Sequence, residues 1–212
     1  MRAKFPTEAL ERAWRPARVA GVIGSASVEE ICEHTAGFMS AVCSVFDDSS
    51  VLRGLDVGSG AGIPGLLLAW QLPQSSWTLM DSSLRRCEFG SDAVEALQLS
   101  DRVQVVHGRS DEQLVDVPRA TMDIVTARLL GNPAETLELC APYCRPGGLL
   151  VVSIASRDRK VWRSAADVAG VDSVALSDHD GNVFAAISIG HGLDPRFPRR
   201  PKARARRPLF SL

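Results

Sequence analysis

Two stretches near the start carry apolar residues at helical spacing. The first is residues 7–20 (TEALERAWRPARVA), with Thr7 as a candidate cap. Pro16 is expected to kink or end that helix. The second covers residues 27–46, where Val28, Ile31, Cys32, Phe38, Met39, Val42, Val45 and Phe46 recur at helical intervals. Ser27 and Glu30 form a candidate capping box at its start, and 21–25 reads as the break between the two helices.

The pattern then changes to short apolar runs bounded by turn residues. Strands are predicted over 51–57, 77–80, 103–107, 122–126 and 149–154, with helices over 66–72, 84–97, 134–143 and 161–169 between and after them. Arg145-Pro146-Gly147-Gly148 reads as a turn before the fifth strand. Two last strands, 171–176 and 183–189, flank the turn-rich stretch Asp178 to Asn182. Strands alternating with helices predict a doubly wound α/β fold, a mostly parallel sheet with helices on both faces. The short link between the last two strands predicts an antiparallel hairpin at the sheet edge. Three segments are expected: an N-terminal helical extension packed on the core (1–48), the α/β domain (49–190) and a basic, flexible tail (191–212).

Composition narrows the class. The chain has 212 residues, 45% of them hydrophobic and 23% charged, which suits one soluble domain with a sizeable core. No apolar run is long enough for a membrane span, and the start lacks a signal-peptide core, so a cytoplasmic protein with no membrane partner is expected. Five cysteines in no CxxC or Cys/His arrangement argue against a disulfide framework and against a zinc site; no metal is expected. Cys140 and Cys144 are spaced to share a helical face. The net charge of −1 hides an asymmetry, because seven residues between Pro195 and Arg207 are basic: Arg196, Arg199, Arg200, Lys202, Arg204, Arg206 and Arg207. Such a run either stays solvated or touches a polyanion.

The densest chemical signal is Leu55-Asp56-Val57-Gly58-Ser59-Gly60-Ala61-Gly62-Ile63-Pro64-Gly65, which leaves a strand and enters a helix. Glycines there let the backbone turn sharply and approach a ligand with no Cβ in the way. Gly60, Gly62 and Gly65 satisfy the spacing of the dinucleotide fingerprint. Asp81, at the end of the second strand, suits ribose hydroxyls in a dinucleotide or in S-adenosylmethionine. Asp56 separates the two, because an acid before the first glycine suits a sulfonium and an ammonium group and repels a pyrophosphate. S-adenosylmethionine is therefore the expected cofactor.

At these residues the chain resembles a known family: the bacterial small-subunit ribosomal RNA methyltransferases that modify nitrogen-7 of a guanine, also called glucose-inhibited division protein B. The likeness runs from about Gly21 to Gly148. It rests on LDVGSGAGIPGLLLA (55–69), MDSSLRRCEF (80–89), LSDRVQVVHGRSDE (99–112), DIVTAR (123–128) and APYCRPGGLLVV (141–152). The resemblance implies the S-adenosylmethionine-dependent methyltransferase variant of the α/β fold. It implies that Gly58 and Ile63 line the cofactor site, that Asp81 holds the ribose, that Ser110 and Asp111 flank the adenine, and that Arg128 stands at the mouth shared by cofactor and substrate. With Asp56 and Gly60 these make the expected cofactor set. The implied partner is small-subunit (16S) ribosomal RNA or the small ribosomal subunit, with the protein a monomer. Some family members end in a similar Phe-Pro-Arg-like basic segment, which makes the seven tail residues candidate RNA contacts.

The chain departs from the family's pattern in places. Asp111 is shorter than the usual Glu, Glu33-His34 stands where many members have Arg-His, and Ala155-Ser156-Arg157 replaces a common Lys-Gly. Several of these lie on the expected substrate side. They keep two alternatives open: a small-molecule methyltransferase, and a non-catalytic RNA-binding or ribosome-assembly module. Nitrogen-7 of guanine carries a lone pair, so in-line transfer to it needs positioning and no general base. None is evident in the sequence, and Arg128 is the one candidate for positioning substrate.

Overall fold

A computed structural model describes residues 4–47 and 49–210; the outermost residues of the expected extension and tail lie outside the described residues. Seven strands form one sheet: β1 (Arg53–Val57), β2 (Ser76–Asp81), β3 (Val103–His107), β4 (Met122–Arg128), β5 (Cys144–Ile154), β6 (Val171–His179) and β7 (Asn182–Ile189), in the order β3-β2-β1-β4-β5-β7-β6. The first five pair in parallel, while β7 pairs antiparallel with both β5 and β6. The doubly wound, mostly parallel fold with a closing antiparallel pair is therefore the one observed. The strand order reverses between β1 and β4, so a crevice opens at the carboxyl ends of those strands, where ligands bind in such sheets.

Burial alternates along the strands. Ile124, Leu149 and Val151 join one core cluster, while Val125, Leu150 and Val152 join the other. The first cluster lies under helices α1 (Thr7–Val19), α2 (Val28–Cys43), α3 (Gly65–Gln71) and α4 (Leu84–Ala96). The second lies under α5 (Pro133–Cys140) and α6 (Arg159–Arg163). A short helix, α7 (Pro201–Arg206), ends the fold.

Several local expectations are refined. Ser27 and Glu30 do form a reciprocal capping box: Ser27 Oγ accepts from Glu30 N at 3.1 Å, and Glu30 Oε2 accepts from Ser27 N at 2.7 Å. Thr7 does not cap α1, because it is the first helical residue and Pro6 precedes it. Pro16 sits inside α1 without ending it, since a proline forfeits only its own N–H and its carbonyl still accepts from Ala20 N at 3.0 Å. The Arg145–Gly148 stretch is the irregular start of β5 rather than a free turn, with Cys144 paired to Met122. Cys140 ends α5 and Cys144 begins β5, so they share no helical face. The β6–β7 turn uses Asp180 and Gly181 at φ +46° and +72°, the pairing of left-handed residues that a two-residue hairpin demands.

The tail also differs from expectation. Arg199 donates through Nε and a terminal nitrogen to Glu138 of α5 at 2.9 and 2.6 Å, and Arg119 donates to the carbonyl of Phe197. The segment is docked against α5 and the β3–β4 connection, because Glu138 is buried (1% exposed) and needs a cationic partner.

Among the described residues, no helix is long and apolar enough to cross a membrane, and no group of three His, Cys, Asp or Glu is placed to hold a metal.

Candidate functional site

The glycine loop leaves β1 at the switch point. Gly58, Gly60 and Gly62 all have positive φ (+73°, +57° and +92°), the left-handed region that favours glycine. Gly58 N and Ser59 N donate to the Met80 carbonyl at 2.8 and 3.0 Å, which pins the loop over the end of β2. A Cβ at Gly60 would meet nothing within 4 Å, so the backbone there borders open space. Trp14 of α1, fully buried, donates from Nε1 to the Ala61 carbonyl at 3.0 Å, so the N-terminal helices brace the loop.

Asp81 ends β2 under this loop. One carboxylate oxygen accepts from Gly60 N and the other from Ser83 N, both at 2.9 Å, with the Arg86 guanidinium 3.9 Å away. Two cavities meet here and share Gly58, Asp81, Ser82 and Leu130. The first, about 210 Å³, runs to the β3 loop and α5 and is walled by Val57, Met80, Ser110, Asp111, Leu139 and Arg204. The second, about 390 Å³, runs toward α1 and is lined by Ile23, Gly60, Ile63, Arg86, Arg128 and Leu129. A larger hollow of about 460 Å³ lies at the opposite end of the strands, beside Arg53 and Ser76, away from the loop.

The structure thus brings Gly58, Gly60, Ile63, Asp81, Ser110, Asp111 and Arg128 around one bipartite cavity. Asp56 behaves differently from expectation. Its carboxylate lines neither cavity. It is 1% exposed, accepting from Gly65 N at 2.9 Å and from Thr126 Oγ1 at 2.7 Å. Burial pushes its pKa up to about 6, against the opposing pull of those two hydrogen bonds. Its contacts tie the start of α3 to β4 beneath the loop, and the charge of Arg128 is close enough to favour its ionised form.

Arg128 closes β4. It has no hydrogen-bond or ion-pair partner among the described residues, and burial lowers its pKa, with Asp56 opposing that effect. A guanidinium held at a cavity wall without a carboxylate is a ready site for an anionic group. Leu129 beside it is 89% exposed at φ +56°, a strained conformation for leucine of the sort that gathers at functional sites. His34 reaches the same edge of the sheet. Its Nε2 lies 2.8 Å from Ser153 Oγ and its Nδ1 is buried without a partner. Burial, together with Arg128 and His179, lowers its pKa to about 4, so the imidazole is neutral at pH 7.

Asp111 is held by two arginines: Arg109 Nε at 3.1 Å from one oxygen, and an Arg204 terminal nitrogen at 3.2 Å from the other. Burial alone would raise its carboxyl, but the two guanidinium contacts outweigh burial and hold it below the usual carboxylate range. Tyr143 donates to the Ser110 carbonyl at 3.1 Å and fixes the same loop.

Of the basic tail residues, Arg200, Lys202, Arg206 and Arg207 face solvent, and Arg196 is exposed but paired with Asp194. Arg199 and Arg204, two of the candidate RNA contacts, turn inward, onto Glu138 and onto Asp111 respectively. Sequence reasoning missed Leu130, Glu135 and Leu139, which line the first cavity with no motif to mark them, and Arg109, which lines it from within the 99–112 stretch. It also missed Arg12, Arg15 and Arg18 on α1. Their spacing of three was a visible signal for a common helix face.

A family model described as rRNA small subunit methyltransferase G matches residues 16–180. Among curated relatives, a ribosomal RNA small subunit methyltransferase G of Salinispora tropica is 39% identical over 136 residues, covering 63% of this chain and 55% of the relative. The chain thus spans about half the length of that relative. One from Streptococcus sanguinis is 32% identical over 170 residues, covering 80% of this chain and 69% of the relative. Among solved structures, an O-methyltransferase from Bacillus cereus in complex with SAH superposes with a TM-score of 0.65 at 15% identity, covering 88% of this chain and 92% of the other, a likeness of fold.

Proposed function

The chain belongs to the rRNA small subunit methyltransferase G family, and from that premise we propose that it transfers a methyl group from S-adenosylmethionine to nitrogen-7 of a guanine in 16S ribosomal RNA. The observation that carries the reading is the bipartite cavity itself: a slot with an acidic edge on one side of Asp81, and an unpaired guanidinium on the other. That shape matches a nucleoside joined to a charged amino-acid end.

The residues present fit the cofactor. The open space at Gly60 admits a ligand against the backbone. Asp81 takes the ribose hydroxyls, Val57, Met80, Leu130 and Leu139 border the adenine, and Arg128 takes the cofactor's carboxylate. When bound, the cofactor supplies an electrophilic methyl on a sulfonium. The protein supplies position: α1 braces the loop through Trp14, and Asp56 anchors α3 beneath it. The acceptor nitrogen of guanine needs no deprotonation, and holding it in line accounts for much of the rate. The exposed cations Arg200, Lys202, Arg206 and Arg207, with Arg12 and Arg15 of α1, serve as phosphate contacts. A ribosomal RNA substrate places the protein in the bacterial cytoplasm.

The test is methyl transfer from labelled S-adenosylmethionine to small subunits and to naked small-subunit RNA, both from cells lacking the gene. Label recovered as 7-methylguanosine supports the reading and identifies the preferred substrate. No label, with protein that binds S-adenosylhomocysteine, overturns it in favour of a small-molecule substrate or a non-catalytic role.

A further inference from the structure

Resting on the cofactor reading above, we infer that Arg204 is a positioning residue of the cofactor cavity, holding Asp111 as the acceptor that reads the exocyclic amine of the adenine ring. Nothing in the basic run distinguishes it. Lys202, Ala203, Ala205, Arg206 and Arg207 around it are exposed, yet Arg204 is only 6% exposed. A guanidinium stays buried only where acceptors hold it.

Three acceptors do so. One terminal nitrogen lies 3.2 Å from Asp111 Oδ2 and 3.5 Å from Glu135 Oε1, and the other donates to the Arg199 carbonyl at 2.6 Å. The segment that carries Arg204 is itself clamped, through Arg199 on Glu138 and through Arg119 on the Phe197 carbonyl. Arg204 is thereby delivered to the wall of the 210 Å³ cavity, beside Asp111 and across from Asp81. Its Nε–H is buried with no partner, which points to an acceptor that the protein does not supply.

The wall has a definite chemistry. Val57, Met80, Leu130 and Leu139 border the slot, and a carboxylate stands at its edge. Arg109 engages both Asp111 oxygens, at 3.1 and 3.4 Å, and Arg204 adds a second donor to Oδ2, which fixes the carboxylate's orientation while Oδ1 keeps a further lone pair. A flat ring that presents an N–H to that edge is accepted; one that presents a carbonyl oxygen there sets acceptor against acceptor with no proton between them. Adenine is the first kind and hypoxanthine the second. Asp111 is one methylene shorter than glutamate, and the clamp from Arg204 compensates by fixing where its carboxylate stands.

The test compares S-adenosylhomocysteine with S-inosylhomocysteine, which carries oxygen in place of the amine, by calorimetry on the full chain. The wild type is expected to prefer the adenosyl ligand by at least ~10-fold, since an unmatched buried acceptor is costly. Arg204→Met is expected to weaken adenosyl binding by roughly 10-fold and leave inosyl binding within about 3-fold, collapsing the preference. Arg204→Lys, which can still reach a carboxylate, should recover part of it. A purely structural role would weaken both ligands together, and an unchanged preference in Arg204→Met overturns the inference. If Arg204→Met lacks a cooperative melting transition, Asp111→Asn carries the same comparison, and a retained preference there is equally fatal. A wild type that binds both ligands equally sinks this inference alone; one that binds neither sinks the cofactor reading with it.

Discussion

Asp56 makes the chain's stability depend on pH in a direction opposite to that of a salt-bridged carboxylate. Its pKa rises from the ordinary 3.8 to about 6, with burial as the dominant cause. The folded protein therefore holds this proton more tightly than the unfolded chain. Stability falls as pH rises between about 4 and 6, and the full penalty, about 3 kcal/mol at 1.36 kcal/mol per unit, is present at neutral pH. Between pH 5 and 7.5 the part that can be read cleanly is about 1.4 kcal/mol. Asp56→Asn does not titrate, and it keeps a carbonyl oxygen for Gly65 N while Thr126 Oγ1 turns to accept from the amide. Urea and thermal melts of both proteins at several pH values give the stability difference, wild type minus variant. That difference should fall by about 1.4 kcal/mol from pH 5 to 7.5, or roughly 3–6 °C in melting temperature for a chain of this size. A difference that is flat, or that rises with pH, refutes the argument that desolvation outweighs the hydrogen bonds of Asp56.

Three further outcomes follow from the same geometry. Arg128→Gln should leave the melting temperature within about 2 °C of wild type, because Arg128 has no partner to lose, while weakening S-adenosylhomocysteine at least ~10-fold by calorimetry. Trp14→Phe removes the Nε1 donor and leaves the Ala61 carbonyl unpaired beneath α1; urea unfolding should show a loss of about 1–3 kcal/mol, and hydrogen exchange should quicken in residues 58–65. Gly65→Ala places a Cβ 2.5 Å from Leu79 Cδ2 and 2.6 Å from Asp56 Cβ, so it should destabilise by about 1–3 kcal/mol and weaken cofactor binding in the same protein.

The strands and their alternation with helices were legible in the sequence, because buried parallel strands between glycine-rich turns leave dense apolar runs. The glycine loop was legible for the same reason, since its left-handed positions demand glycine. The ends of elements were less so. Arg145–Gly148 looks like a turn, but pairing of Cys144 with Met122 extends β5 through it. Asp56 stood in a motif that suggested a charge facing the ligand, and only the hydrogen bonds to Gly65 and Thr126 reveal it as a buried tie. Arg199 and Arg204 are indistinguishable in sequence from their exposed neighbours, because their partners Glu138 and Asp111 lie 61 and 93 residues away. Leu130 and Leu139 line the cavity as ordinary apolar residues with no spacing to mark them.

The central claim is that this cavity drives methylation of a guanine at nitrogen-7 in small-subunit RNA. Borohydride reduction followed by aniline cleaves RNA at 7-methylguanine, so it reads that product directly. In 16S RNA from cells lacking the gene and complemented with the wild type, cleavage at one guanine is expected. Complementation with Asp81→Asn, folded but impaired at the ribose, should leave that guanine uncleaved or weakly cleaved. Absence of cleavage with the wild type, or full cleavage with Asp81→Asn, would contradict the account.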